Sequence, residues 1–208
     1  MVAFDYKKEY KSLYFPPQGR FVMVDVPPLD YLMLDGHGDP NHNPDYQAVV
    51  EALYGLAYTL KFMLKPLGIE YGVPPLEGLW WMENMAEFSL ARKADWDWTM
   101  MILQPVAVTP EQLEHARELA LHKKGTPVLA HARLERYEEG MAAQTIYLGA
   151  YADEGPTIAA LHDFIHAQGY ERAGKHHEIY LGDPRRTAPE KLKTVIRQPV
   201  HANNKVIG

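Results

Sequence analysis

One order of predicted elements occurs twice in the chain, and this repeat restricts the folds that it can adopt. Each half reads as strand, helix, strand and strand, and each half ends on the tripeptide Gln-Pro-Val, at 104–106 and at 198–200. The turn at 38–40 before the first helix parallels the turn at 152–154 before the second. A supersecondary unit that recurs in this way indicates an internal duplication.

The repeat gives the expected domain organisation. We predict a single α+β domain over residues 1–208, with one module at about 20–108 and a second at about 126–201. A capping box at Thr109 opens a crossover helix over about 110–124, which should end at Gly125. Tandem strand-helix-strand-strand modules with antiparallel sheets can pack around a pseudo-twofold axis and leave a central ligand cleft.

Hydrophobic periodicity and turn residues place the individual elements. Asn43 should cap the first helix, with Pro44 in its first turn. The predicted helices of the two modules cover about 43–65 and 157–168, and the predicted strands cover 21–26, 31–34, 75–82, 95–106, 128–137, 144–151, 175–181 and 193–200.

The strand around Glu178 carries the main candidate site. Side chains alternate along a strand, so Glu178 should share one face with His176 and Tyr180. A carboxylate in the middle of a strand either faces solvent or is buried for a purpose, and this stretch by itself favours neither interpretation. The repeat aligns Glu77 with Glu178, which predicts two carboxylates facing one groove.

All four tryptophans follow Glu77 closely, between Trp80 and Trp98. Aromatic walls beside a carboxylate are typical of a site for a flat, lipophilic cation, through stacking and cation–π attraction. Such a cluster is equally typical of a hydrophobic core. Both interpretations stay open at this point.

Composition excludes several classes of protein. With 27 acidic against 21 basic side chains, the formal charge is −6, which argues against direct nucleic-acid binding. The absence of cysteine excludes disulfides and thiolate metal sites. The pair His162 and His166 lacks a clear third ligand, so we expect neither a metal nor a cofactor. No apolar run reaches about 18 residues, so we expect a soluble, cytoplasmic protein without a membrane partner.

Four segments, at 75–81, 98–105, 177–184 and 186–200, resemble the GyrI-like small-molecule-binding proteins, and the resemblance extends from about residue 3 to residue 201. It implies the stand-alone bacterial branch, a tandem fold with a central cleft, and no DNA-binding domain of the kind that related regulators carry. Drug-sensing relatives bind lipophilic, often cationic aromatic compounds with a glutamate deep in the cleft. Some stand-alone relatives hydrolyse the cyclopropane ring of DNA-alkylating natural products.

The resemblance assigns roles to particular residues. Glu178 matches the cleft glutamate, whereas Tyr147 stands where the family usually has a histidine. We expect a multidrug-binding protein for lipophilic aromatic or cationic small molecules. One alternative is a detoxifying hydrolase with Glu178 as general base and Tyr147 as a second catalytic group. Another alternative is a protein-interaction module such as a gyrase inhibitor. The expected ligand-binding residues are Glu178, Tyr180, Glu77, Trp81, Trp98 and Tyr71.

Overall fold

A computed structural model of the protein describes residues 4–124 and 126–203. Within them the chain forms two compact units, each built from two stretches of sequence. Unit 1 contains residues 4–9 and Leu29–Tyr137, and unit 2 contains Tyr10–Pro28 and residues 138–203. The predicted end of the crossover helix at Gly125 lies outside the described residues.

The described elements confirm a mixed α+β fold with antiparallel sheets. The helices are α1 (Tyr6–Glu9), α2 (Lys11–Tyr14), α3 (Pro44–Leu64), α4 (Pro110–Lys124) and α5 (Gly155–Ala167). The strands are β1 (Val22–Val26), β2 (Leu29–His37), β3 (Leu76–Trp81), β4 (Asp97–Leu103), β5 (Arg133–Tyr137), β6 (Gly140–Leu148), β7 (Tyr170–Arg172), β8 (His176–Tyr180) and β9 (Lys193–Ala202). No helix among the described residues is both long enough and apolar enough to cross a membrane.

Unit 1 contains an antiparallel sheet in the order β3-β4-β2-β5. The long helix α3 begins as predicted, because the Asn43 side chain accepts a hydrogen bond of 2.8 Å from the backbone N–H of Asp45 and Pro44 occupies the first turn. The buried side of α3 follows the helical period of the sequence. Its members are Val49, Ala52, Leu53, Leu56, Ala57, Thr59, Leu60 and Leu64.

Unit 2 contains an antiparallel sheet in the order β1-β6-β9-β8, and the short strand β7 also pairs with β9. Leu161 and Ile165 of α5 pack against Ala143 of β6 and Ile196 of β9. Helix α5 therefore covers the face of this sheet on which Ala143 and Ile196 lie.

The compact units do not follow the boundaries of the predicted repeats. β1 falls in the predicted first repeat but pairs with β6 of unit 2, and β5 falls in the predicted second repeat but pairs with β2 of unit 1. With these strands assigned to their units, the strands of unit 2 and unit 1 follow matching orders, β1-β6-β9-β8 and β5-β2-β4-β3. The duplication itself stays a prediction.

Two differences from the predicted elements have local causes. The strand predicted at 128–137 is reduced to β5, because Pro127 opens a 3₁₀ turn over Pro127–His131. β7 has only three residues, too few for a periodic pattern to reveal it.

A candidate small-molecule site

β8 places three polar side chains on one face of the unit 2 sheet. The Tyr180 hydroxyl donates a hydrogen bond of 2.8 Å to Glu178 Oε2, and His176 Nε2 lies 3.2 Å from Glu178 Oε1. The side chain of Glu178 is 12% exposed and that of His176 is 2% exposed. The predicted alternation thus brings together a nearly buried carboxylate and two hydrogen-bonding side chains.

The strand register shows which face of the sheet carries Glu178. Glu178 is paired directly with Ile196 of β9, and directly paired residues of an antiparallel sheet point to the same side. Ile196 packs against Leu161 and Ile165 of α5. Glu178 therefore lies on the face that α5 covers.

Two further tyrosines lie near this carboxylate in unit 2. The ring of Tyr151 packs edge-on against that of Tyr180, with the centroids 5.5 Å apart. Tyr147 of β6 is paired directly with Thr194 of β9, which is itself paired with Tyr180 of β8. Tyr147 therefore lies on the same face of the sheet as Glu178. Its hydroxyl donates a hydrogen bond of 3.1 Å to the carbonyl oxygen of Ala150. Burial raises the pKa of Tyr147, as do the nearby carboxylates of Asp153 and Glu154.

His162 of α5 extends the polar cluster. Arg172 Nη1 lies 3.3 Å from His162 Nδ1, and because a guanidinium only donates, Nδ1 accepts and the ring proton resides on Nε2. Burial lowers the pKa of His162 to about 4, and the positive charges of Arg172, His176 and His166 add to this. His162 is therefore neutral at pH 7. No group of three His, Asp or Glu side chains in the described parts of the chain is arranged to hold a metal ion.

Trp98, predicted to be a ligand-binding residue, lies in the core of unit 1. It is fully buried, and its Nε1–H donates a hydrogen bond of 3.1 Å to the carbonyl of Gly38. Its ring contacts Tyr46 of α3 edge-on, at 5.3 Å between centroids, and Trp80 and Trp96 belong to the same aromatic cluster. Of the two interpretations of the tryptophans, the core describes Trp98.

The predicted equivalence of Glu77 and Glu178 is wrong. When the sheets are aligned on the shared Gln-Pro-Val, Ile102 matches Ile196, and their partners on the neighbouring strands are Leu76 and Glu178. The counterpart of Glu178 is therefore Leu76. Glu77 is one residue further along, and a shift of one residue on a strand reverses the face.

Glu77 and Trp81 lie on the face of the unit 1 sheet opposite Trp98. Their direct partners on β4 are Met101 and Asp97, whereas Trp98 pairs with Trp80. Glu77 is 0% exposed, and Trp81 is half-buried. Burial raises the pKa of Tyr6, and the negative charges of Asp5 and Glu77 add to this.

Tyr71, the remaining predicted ligand-binding residue, is a buried residue of unit 1. It forms an isolated bridge with Phe4, and burial raises its pKa to about 12. Its hydroxyl has no hydrogen-bond partner among residues 4–124 and 126–203. A role for Tyr71, Glu77 or Trp81 in ligand binding stays a prediction.

Unit 2 also contains a buried charge cluster that the sequence patterns did not predict. Glu139 lies between His177, whose Nδ1 is 2.9 Å from Oε1, and Arg197, whose Nη1 donates to Oε2 at 3.0 Å. Burial raises the pKa of Glu139, but the charges of His177 and Arg197 and their hydrogen bonds outweigh it and bring the pKa to about 2. The available signal was Arg197 itself, a charged residue in the middle of a strand that also carries Val195, Ile196 and Val200, because a buried charge needs a partner.

The cluster also binds the N-terminal segment of unit 2. Arg197 Nε donates to Gln144 Oε1 at 3.0 Å, and its Nη2 donates to the carbonyl of Leu13 at 2.6 Å. The side-chain amide of Gln144 donates in turn to the carbonyl of Ser12 at 2.7 Å. This cluster therefore supports the fold of unit 2.

The fold places the protein among mixed α+β domains with antiparallel sheets. The family model described as the GyrI-like small molecule binding domain matches residues 20–201. The chain therefore belongs to the GyrI-like family, as the sequence resemblance indicated.

Several solved structures are similar to this chain. A conserved protein from Listeria innocua is 39% identical, with a TM-score of 0.87, over 95% of this chain and 100% of that chain. A hydrolase from the same organism is 38% identical, with a TM-score of 0.84, over 96% and 100%. The C-terminal domain of EcmrR is 12% identical, with a TM-score of 0.56, over 92% and 99%, and indicates a shared fold only. The search of curated protein sequences gave no match.

Proposed function

We propose that the protein binds flat, lipophilic and frequently cationic compounds at Glu178 in unit 2. The observation that carries the proposal is the nearly buried carboxylate of Glu178, held by the Tyr180 hydroxyl at 2.8 Å. Removing a carboxylate from water costs free energy, and a bound cation offsets part of that cost. The rings of Tyr180 and Tyr151, packed edge to face, supply the aromatic surface that attracts an organic cation.

The test is the Glu178→Gln variant with two probes of nearly the same shape. The cationic probe is 2-(aminomethyl)fluorene and the neutral probe is 2-(hydroxymethyl)fluorene. A charge-assisted contact is worth about 1.5–3 kcal/mol, so we expect calorimetry to show a loss of affinity of about tenfold or more for the amine. The alcohol should lose little.

A matched control removes a charge elsewhere in unit 2. Glu190 is exposed, so Glu190→Gln changes the net charge equally without touching the site and should leave both affinities unchanged. Equal losses for the two probes in Glu178→Gln would reject the electrostatic part of the proposal. Binding of a protein partner that survives this substitution would favour the protein-interaction alternative.

A second candidate function is hydrolysis of a strained ring. The 38% identical structure from Listeria innocua is described as a hydrolase, and Glu178 is the side chain best suited to act as a base. A carboxylate withdrawn from water is a stronger base than a solvated one. Glu178 would accept a proton from water as the water oxygen bonds to a cyclopropane carbon and a ring C–C bond breaks. The electron pair would pass to a conjugated carbonyl oxygen, which a tyrosine hydroxyl would protonate.

Hydrolysis is tested by incubating the protein with a cyclopropane-bearing alkylating natural product. Mass spectrometry should detect a ring-opened product heavier by one water, and Glu178→Gln should abolish its formation. Tyr147→Phe tests the second predicted catalytic residue and should slow ring opening while leaving binding intact. Absence of product, or undiminished turnover by Glu178→Gln, would reject the hydrolase.

A further inference from the structure

Thr194 of β9 is a fully buried residue with an unsatisfied hydroxyl. Its side chain is 0% exposed, and within residues 4–124 and 126–203 its Oγ1 has no hydrogen-bond partner. Leaving a hydroxyl buried without a hydrogen bond costs free energy, so such groups are rare in native proteins and each one calls for an explanation. The position of Thr194 supplies one.

Thr194 lies on the same face of the unit 2 sheet as Glu178. It is paired directly with Tyr180 on β8 and with Tyr147 on β6, while Glu178 is paired with Ile196, the next residue of β9 on that face. Glu178 and Thr194 are therefore diagonal neighbours, a relation that places the Cα atoms about 7–8 Å apart. Such a separation is comparable with the width of a fused aromatic ligand.

The half-buried rings of Tyr147 and Tyr180 flank Thr194. Tyr180 is oriented by the hydrogen bond from its hydroxyl to Glu178 Oε2. A cation that pairs with Glu178 competes for the same carboxylate oxygen. Access of a ligand to the buried Thr194 hydroxyl would require this hydrogen bond to break and the Tyr180 ring to rotate.

We propose that Thr194 determines ligand specificity at this site by donating a hydrogen bond to a carbonyl oxygen on the ligand. The preferred ligand class is a flat aromatic ketone that carries a cationic substituent, with the cation at Glu178 and the ketone oxygen at Thr194. This inference depends on the proposed function, because it uses the same carboxylate.

The test compares two amines in Thr194→Val, a substitution that replaces the hydroxyl by a methyl group of similar shape. The probes are 2-(aminomethyl)fluoren-9-one, which carries the ketone, and 2-(aminomethyl)fluorene, which lacks it. The variant should bind the ketone about 5- to 10-fold more weakly, the value of one hydrogen bond, and should bind the other amine with less than a twofold change. Its melting temperature should be equal to or higher than that of the wild type, because a buried unsatisfied group has been removed.

Thr145 provides the matched control. It is buried on the same face of the same sheet, but its hydroxyl donates a hydrogen bond of 2.9 Å to the carbonyl of Arg20. Thr145→Val should therefore lower the melting temperature and leave the ratio of the two affinities unchanged.

The outcomes separate this inference from the proposed function. If the wild-type protein binds neither amine, the proposed function fails for this class and the role of Thr194 fails with it. If the wild type binds both amines and Thr194→Val weakens them equally or not at all, only the role of Thr194 is rejected. A lower melting temperature for Thr194→Val would show that the hydroxyl has a structural partner, which also overturns the inference.

Discussion

At the scale of single residues, the packing of Trp98 in the core of unit 1 requires a glycine at position 36. The two residues are directly paired across β2 and β4, and a Cβ built on Gly36 would overlap the six-membered part of the indole ring. Glycine in a strand commonly marks such a close approach. The indole cannot move aside easily, because it is fully buried and its N–H is bonded to the carbonyl of Gly38.

Gly36→Ala should therefore destabilise the protein strongly. Overpacking of a rigid, buried contact costs about 1–3 kcal/mol, so we expect the free energy of unfolding in urea to fall by that amount or more. Buried tryptophan fluorescence reports the accompanying displacement of the ring.

The control is Gly55→Ala in α3. Gly55 is exposed in the middle of the helix, and a Cβ there meets no atom within 4 Å apart from its own helix backbone. Alanine favours the helix over glycine by about 1 kcal/mol, so this variant should gain stability. If both substitutions changed the free energy of unfolding by the same amount and sign, the packing explanation for Gly36 would be wrong.

Sequence periodicity predicted part of the candidate site at this scale. Alternation along one strand correctly grouped His176, Glu178 and Tyr180, because the distance between them is set by local geometry. Tyr151 and Thr194 were not predicted. Their proximity depends on which strands and turns come together, and neither residue carries a local signal of that arrangement.

At the scale of elements, the main lesson is the sensitivity of a strand to its register. The residue types of β3 and β8 are similar enough that a sequence alignment places Glu77 opposite Glu178, but the hydrogen-bonded register places Leu76 there. A shift of one residue changes the exposed face and thus the chemistry of the site. Periodicity could predict that these strands exist, whereas the correct alignment required their partners.

The three long helices α3, α4 and α5 were predicted closely because their signals are local, whereas the four-residue helices α1 and α2 were not predicted. Asn43 and Pro44 mark the start of α3. The capping box places Thr109 before α4, and the Thr109 hydroxyl accepts a hydrogen bond of 3.2 Å from the backbone N–H of Gln112. The pairing of β1 with β6, and of β5 with β2, was not predictable in this way. The residue pattern of a strand does not indicate which distant strand it pairs with.

At the scale of the whole molecule, each unit combines stretches of chain that are distant in sequence. In unit 2, the cluster of Glu139, His177 and Arg197 joins these stretches, because Arg197 also donates to the carbonyl of Leu13 in the N-terminal segment. A buried charge cluster is stable only while each charge keeps its partner. Acid should therefore weaken this connection.

The pKa of Glu139 gives the expected pH dependence. It is about 2 in the folded protein against an ordinary value of 4.5, so between these values the unfolded chain binds more protons and stability falls as the pH falls. Each unit of pKa difference corresponds to about 1.36 kcal/mol, which gives a contribution of about 3 kcal/mol that is complete above pH 4.5 and lost towards pH 2.

The Glu139→Gln variant tests this dependence of the free energy of unfolding on pH. The variant should be about 3–5 kcal/mol less stable than the wild type at pH 7, because Arg197 keeps its buried charge without the anion. That difference should shrink as the pH falls from about 4.5 to 2.5, where the wild type loses its own contribution. Urea unfolding at each pH measures both curves.

The control for acid effects at the surface is Asp183→Asn. The hydrogen bond from Arg185 lowers the pKa of Asp183, as Arg197 and His177 do for Glu139, but the Asp183 side chain is 35% exposed. Solvent screens such a pair, so the unfolding curve of the variant should follow that of the wild type. If the free energies of unfolding of the wild type and Glu139→Gln ran parallel down to pH 2.5, this explanation would be wrong. Protonation of Glu139 would then not determine how the N-terminal segment is held in unit 2.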